Sequence, residues 1–432
     1  MNARRVGTAA GAGLLTVLLV AGCSTSPTTP EPSAERPDKV DLTVALWGGA
    51  DRADLYQQVI DQFAEGQDGV TATMEFADQS PYFERLTTSA ASQNLPDLFW
   101  LTETHFGRYA EAGALLDLSP YLGENIDSDA IGESWLPYGE VDGSVYAIPS
   151  NFNGQAVLVD QAVLDAGGLE YDVESWDDLA DLATALARPS EGYYGLTDPT
   201  VGQTQRAFEV WVRQHGEEVY GEDGGVGFDR DTLIAWWEYW AELREAGVIP
   251  APDVQIESES QGLTNDLLVT GKAAIRLSSA THLTAAGALR DGGLTLQDYP
   301  EIEDAAEDWR FYTALLLAAA ANTPAPGVTA DLINEIVNAP EAAAITKISM
   351  GTPTSSAVSE SILPLLSDGD RTVVEYLNEQ LEFPTRPSPI VPETSQQFTA
   401  ELARYSQEVA YGRLSPEDAA DKLFAEADRI LG

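Results

Sequence analysis

The chain has 432 residues, 44% of them hydrophobic, and its 70 acidic and 23 basic side chains leave a net charge of −47 at pH 7. A surface this negative repels phosphate backbones and anionic lipid headgroups, so nucleic-acid binding and electrostatic membrane attachment are excluded. The length exceeds one typical core, and two lobes are expected.

Arg4 and Arg5 precede an apolar stretch over residues 9–20, the layout of an export signal. The stretch is too short and too glycine-interrupted for a spanning helix. Val20-Ala21-Gly22-Cys23 closes it with small residues before the only cysteine, which has no internal disulfide partner. These four residues resemble the lipobox of bacterial lipoproteins. The resemblance implies a signal peptide over 1–22, and lipidation at Cys23, which becomes the new N-terminus. An ordinary signal peptide leaves the position of the lone cysteine unexplained. Residues 24–38, rich in Ser, Thr and Pro, read as part of a lipidated tether over 23–39. The acidity of the remainder fits solubility outside the cell, or adaptation to salt, where cations screen self-repulsion.

Residues 42–47 (LTVALW) form an apolar run of strand formers. Leu55, Val59, Ile60 and Phe63 then recur at helical spacing over 53–63. A second strand over 70–76 completes a β-α-β unit, which implies parallel strands and a right-handed crossover. Strands are also expected at 98–101 and 144–148, the latter closed by Pro149. Residues 150–154 (SNFNG) read as a polar lobe crossing before extended chain resumes at 155–159. Ser175 and Asp178 sit as a capping box opening a helix with Leu179, Leu182 and Leu186 on its buried face. A helix over 231–247 carries Trp236, Trp237 and Trp240 at core spacing. A strand follows at 273–277, a buried strand within 311–321, and a helix at 329–338. The last helix starts at Ser415-Pro416, with Ser as N-cap and Pro at the first helical position.

Catalytic and metal motifs are sparse. His105, His215 and His282 are far apart and none has a second ligand at metal spacing. No G-x-S-x-G elbow or phosphate-loop pattern occurs. Carboxylate pairs abound, so a glycosidase dyad stays open. Neither a metal nor a cofactor is expected. Aromatics beside hydrogen-bonding residues at strand ends stand out more: Trp47 before Asp51 and Arg52, Trp100 before Glu103, Thr104 and His105, and Phe152 beside Asn153. In open α/β sheets ligands sit beyond the carboxyl ends of strands. A sugar needs a flat apolar face for its C–H groups and planar polar groups for its hydroxyls.

In order and spacing, Leu95-Pro96-Asp97-Leu98-Phe99-Trp100, Phe106-Gly107-Arg108-Tyr109-Ala110, Gly113-Ala114-Leu115-Leu116-Asp117-Leu118, Tyr146-Ala147-Ile148-Pro149, Ser175-Trp176-Asp177-Asp178-Leu179 and Gly271-Lys272-Ala273-Ala274 resemble one family. It is the extracellular solute-binding lipoproteins of ATP-binding-cassette importers, in the sugar-binding branch typified by the maltose binders. The resemblance covers nearly all of the chain after Val40. It implies a two-lobed, periplasmic-binding-protein-like (type II) α/β fold with a hinge and an interlobe cleft. It places Asp51 and Arg52 on an acid–base pair that contacts sugar, Glu103 or Thr104 on the next carboxylate, and Asn153 where another acid stands. Thr281 or His282 falls where a stacking tryptophan is usual, so one aromatic wall is missing. Tyr82, Trp309 and Arg386 are further candidate contacts, and Trp47 and Trp100 are candidate stacking rings. Residues 387–392 look like a late loop approaching the cleft.

The expected lobes are 40–150 with 300–355, and 151–299 with 356–432, crossing near 149–153, 293–300 and 351–361. The expected function is non-enzymatic: capture of a mono- or oligosaccharide at the outer face of the cell membrane and delivery to permease subunits of an importer. The chain would act as a monomer held to the membrane by its lipid alone. The alternatives are a lipid-anchored glycoside hydrolase and a binder of a polyol or amino acid. Arg52 and Arg386 would suit the last by clamping a carboxylate.

Overall fold

The computed structural model describes residues 38–432 apart from 133, 203, 204, 291 and 393. The export signal, Cys23 and the tether before residue 38 lie outside the described residues.

Strands run β1 Val40–Trp47, β2 Val70–Ala77, β3 Leu98–Thr102, β4 Glu140–Val141, β5 Ser144–Val145, β6 Ala147–Asp160, β7 Tyr194–Leu196, β8 Ala273–Ser279, β9 Leu294–Gln297, β10 Tyr312–Ala319 and β11 Thr352–Pro353. The main sheet has the order β2-β1-β3-β10-β6-β8-β7, with β9 and β11 also pairing β6. The expected β-α-β unit is present: β1 and β2 are parallel in full register, joined by the helix Ala50–Glu65. That helix buries Tyr56, Val59, Ile60 and Phe63. β3 lies parallel to β1 on its other side, and β10 is antiparallel to both β3 and β6.

The polar stretch 150–154 is not a turn. It is the middle of β6, which runs 14 residues without a break. The polar side chains that suggested a loop are satisfied by neighbouring chain instead. Ser150 Oγ donates to Leu315 O at 3.1 Å, and Asn151 Nδ2 to Gly351 O at 3.2 Å. A buried polar residue tolerates a strand interior when its side chain finds a partner outside the ladder. Gly154 makes room at the midpoint: a Cβ there would stand 2.7 Å from Leu377 Cδ2.

β6 belongs to both lobes. Its first half pairs with β10 and β11, its second with β8 and β9. Two hydrophobic cores flank it. The first gathers Val44, Leu46, Leu98, Trp100 and Leu316; the second gathers Val157, Leu179, Trp236, Trp240, Phe398 and Leu423. The indole cluster on the helix Arg230–Glu245 is core, as its spacing predicts. The capping box at Ser175 and Asp178 is formed, and Ser415 Oγ accepts from Asp418 N at 3.2 Å to start the helix Pro416–Ile430.

The late chain divides differently from expectation. Thr352 and Pro353 pair with β6 as β11 rather than leaving the first lobe. The helix Asp368–Gln380, expected in the second lobe, contributes Val373 and Leu377 to the first core. The helices Ser395–Ala410 and Pro416–Ile430 join the second core. The last crossing therefore follows the helix Asp368–Gln380. Conversely, Trp309 and Phe311, expected in the first lobe, pack in the second core.

Candidate functional site

At one end of the first-lobe sheet β1 ends at Trp47, β3 ends at Thr102, and β10 begins at Tyr312 opposite Gly154. Carboxyl ends of parallel strands are where open α/β sheets receive ligands. The helix Glu103–Glu111 starts directly from β3, so its first side chains face the second lobe. Glu103 is half-buried, and its Oε1 accepts a 2.8 Å hydrogen bond from Ala314 N on β10. Burial pushes its carboxyl up to about 7, against the pull of Arg206, the Ala314 amide and Arg213. Beside it Thr102, Thr104 and His105 form a hydrogen-bonded cluster, with His105 Nδ1 2.7 Å from Thr102 Oγ1. His105 stacks on Phe83 at 3.7 Å and 6°. Burial, with Arg108 nearby, lowers its imidazole to about 4, so it is neutral at physiological pH.

A cavity of about 300 Å³ opens between these residues and the second lobe. Glu103 and Thr104 form its first-lobe wall. The opposite wall comes from the helix Gln205–Gln214 (Arg206, Phe208, Glu209), the segment Glu218 to Tyr220, Ser388, Pro389 and Val391, and the start of the helix Ser395–Ala410 with Phe398 and Thr399. Arg206 Nη1 donates to Glu209 Oε2 at 2.7 Å, and Glu209 is the leading cause of the raised Arg206 pKa. Tyr220 meets Phe398 edge to face, with ring centroids 5.9 Å apart and planes at 67°. Carboxylates, a guanidinium, hydroxyls and aromatic faces thus meet in one groove of small-molecule size.

A buried polar knot supports the second-lobe wall. Arg213 is 0% exposed; it donates to Trp309 O at 2.9 Å, Glu218 Oε2 at 2.8 Å, Ser388 Oγ at 3.3 Å and Arg386 O at 2.6 Å. Burial lowers its pKa, with Glu218 opposing. Arg386 in turn pairs with Glu218 Oε1 at 2.6 Å and with Asp308.

Of the sequence candidates, the structure brings Glu103 and Thr104 to this cavity. Trp47 is half-buried against Tyr82 and Phe83, and Arg52 Nη1 donates to Trp47 O at 3.0 Å. With exposed Asp51 they cap the end of β1, outside the cavity lining. Trp100 and Tyr82 are core residues, 0% and 3% exposed. Trp100 Nε1 donates to Ser150 Oγ, and Tyr82 OH to Ala45 O and Trp100 O, so neither ring presents a face to solute. Trp309 is also buried, its Nε1 donating to Glu301 Oε1 at 3.0 Å. Asn153 Nδ2 donates to Thr281 Oγ1 at 2.7 Å, joining β6 to the chain after β8; His282 Nδ1 is bonded to Ser278 Oγ. The Arg386 guanidinium is held in its ion pairs, not free to clamp a carboxylate. Sequence reasoning missed Arg206, Glu209, Glu218, Tyr220 and Thr399. Only the i, i+3 spacing of Arg206 and Glu209 on one helix face marked any of them as a pair.

The sequence profile of the bacterial extracellular solute-binding proteins matches residues 58–364. An erythritol/L-threitol-binding protein of Mycolicibacterium smegmatis is 23% identical over 220 residues, 44% of this chain and 44% of that one, so the chain matches less than half of that curated relative. Among solved structures, a family 1 extracellular solute-binding protein of Alicyclobacillus acidocaldarius superposes with TM-score 0.78 at 26% identity, covering 91% of this chain and 99% of that one. A periplasmic oligogalacturonide-binding protein of Yersinia enterocolitica, solved with saturated digalacturonic acid, gives TM-score 0.71 at 19% identity, covering 91% and 99%. At that identity the second likeness speaks for the fold.

Proposed function

Because the chain belongs to the bacterial extracellular solute-binding proteins, we propose that it captures a small carbohydrate or polyol outside the cell and hands it to an ATP-binding-cassette importer. The observation that carries this reading is the interlobe cavity of about 300 Å³, in which Glu103 and Thr104 of one lobe face Arg206, Glu209 and Tyr220 of the other. A neutral polyhydroxylated solute needs alternating donors and acceptors with an apolar face, and the two walls offer both. The erythritol/L-threitol-binding relative supports the polyol end of the range. Contact with both lobes by one solute favours the closed arrangement over the open one. No bond is made or broken; the solute leaves intact. Cys23 carries the lipid that keeps the protein at the outer face of the membrane, and permease subunits are its partners.

A thermal-shift screen over sugars, polyols and amino acids tests the reading. A ligand that binds only the folded chain raises the melting point with concentration. Stabilisation by a sugar or polyol recovered unchanged is expected. Stabilisation by amino acids alone, or turnover of an added glycoside, refutes it.

A further inference from the structure

After the helix Asp368–Gln380 the chain crosses from the first lobe to the second, and the stretch 386–392 (RPSPIVP) has no regular secondary structure. It is nonetheless fixed at its root. Arg386 pairs with Glu218 and Asp308, its carbonyl accepts from the buried Arg213, and Arg213 also reaches Ser388. Pro387, Pro389 and Pro392 restrict φ at three of seven positions, which stiffens the stretch. Ser388, Pro389 and Val391 line the cavity, while Ile390 points away from it and meets the opposite lobe. There Gly107, in the helix Glu103–Glu111, leaves a notch: a Cβ at Gly107 would stand 2.3 Å from Ile390 Cγ2 and 3.8 Å from Ile390 Cβ. A second-lobe root and a first-lobe tip thus span the groove beside Glu103 and Thr104.

We infer that residues 388–391 are a strap that shuts one end of the groove by seating Ile390 in the Gly107 notch, and so limits the solute to roughly one or two sugar rings. This rests on the solute-binding reading above. With the strap seated, a longer glycan has no exit past Glu103. Lifting the strap opens that end.

The geometry supplies its own tests. In the full chain with Cys23→Ser, the pair Gly107→Cys and Ile390→Cys meets the Cβ spacing of a disulfide, about 3.8 Å. Mild oxidation is expected to link the two, and failure to link under conditions that leave the fold intact overturns the strap. Gly107→Ala inserts the offending methyl at a helical position where alanine is the better helix former. Binding is measured by calorimetry with glucose to maltotetraose, xylose to xylotetraose, and erythritol. The unmodified chain is expected to bind the smallest members at least tenfold tighter than the four-ring ones. Gly107→Ala is expected to reduce that ratio at least fivefold, and adding Ile390→Ala, which removes Cγ2, to restore the seated distance for the strap backbone. A ratio unchanged by Gly107→Ala, or an unmodified chain that prefers the longest members, overturns the inference. If none of these probes binds the unmodified chain, the length limit falls together with the sugar reading. A disulfide that still forms then shows that the strap contact survives.

Discussion

Glu103→Gln isolates the cost of holding a charge at the cleft. Burial moves the Glu103 carboxyl from its ordinary 4.5 to about 7. Each pH unit is worth about 1.4 kcal/mol, which sets a ceiling of about 3 kcal/mol on the penalty for ionising it in the folded chain. Its side chain is partly open to the groove, and solvent screening reduces that to about 2 kcal/mol. The sign follows from which state loses its proton first. Below about 4.5 the carboxyl is protonated in both states and carries no penalty. Between about 4.5 and 7 the unfolded chain ionises while the folded one holds its proton, so stability falls as pH rises; above about 7 the loss is constant. Arg206 and Arg213 ease the charge, and Glu209 opposes it. The amide of Gln keeps an oxygen for the Ala314 N–H, so the variant removes the titration with little change in bonding. Urea titrations at about pH 4.5 and about pH 8 on both proteins measure it. The wild type is expected to lose about 2 kcal/mol relative to the variant across that span. Parallel pH profiles for the two proteins would refute the argument that Glu103 is desolvated.

Three further outcomes follow from the packing and the charge. Arg213→Met removes the fully buried one of the two guanidiniums that hold Glu218; a loss of about 3–5 kcal/mol in urea unfolding is expected, and a loss under about 1 kcal/mol contradicts the knot's role. Trp100→Phe removes the hydrogen bond to Ser150 and part of a packed ring, so stability drops by about 1–3 kcal/mol while affinity for a thermal-shift ligand stays within about twofold. A tenfold loss of affinity would return Trp100 to the binding surface. With a net charge of −47, self-repulsion is screened by salt, and the melting point is expected to climb by several degrees between dilute buffer and about 1 M KCl; a flat response removes the salt-adaptation reading.

Local structure was legible wherever one short segment carries its own period. β1, the helix Ala50–Glu65, β2, and the capped helices at Ser175 and Ser415 follow directly from apolar spacing and end signals. The stretch 150–154 misled because its polar residues satisfy themselves through partners remote in sequence, such as Gly351 and Thr281. The site was half legible for the same reason. Glu103 and Thr104 follow a recognisable strand end, whereas Arg206, Tyr220 and Thr399 reach the cavity only after the chain has crossed between lobes. Trp100 and Tyr82 show the reverse error. An aromatic before a polar run looks like a sugar platform, yet the fold buries both rings in the first core beneath the strand end that leads to the cavity.

The shared strand β6 governs how the halves move. Because it is laddered to β10 on one side of Gly154 and to β8 and β9 on the other, the halves cannot slide apart without breaking hydrogen bonds of the shared sheet. Bending or twisting of β6 near Gly154 leaves the ladders on either side of it intact. If the chain captures a solute as proposed, reporter dyes placed one in each half would register closure as a change of angle about β6, with the strand itself unbroken.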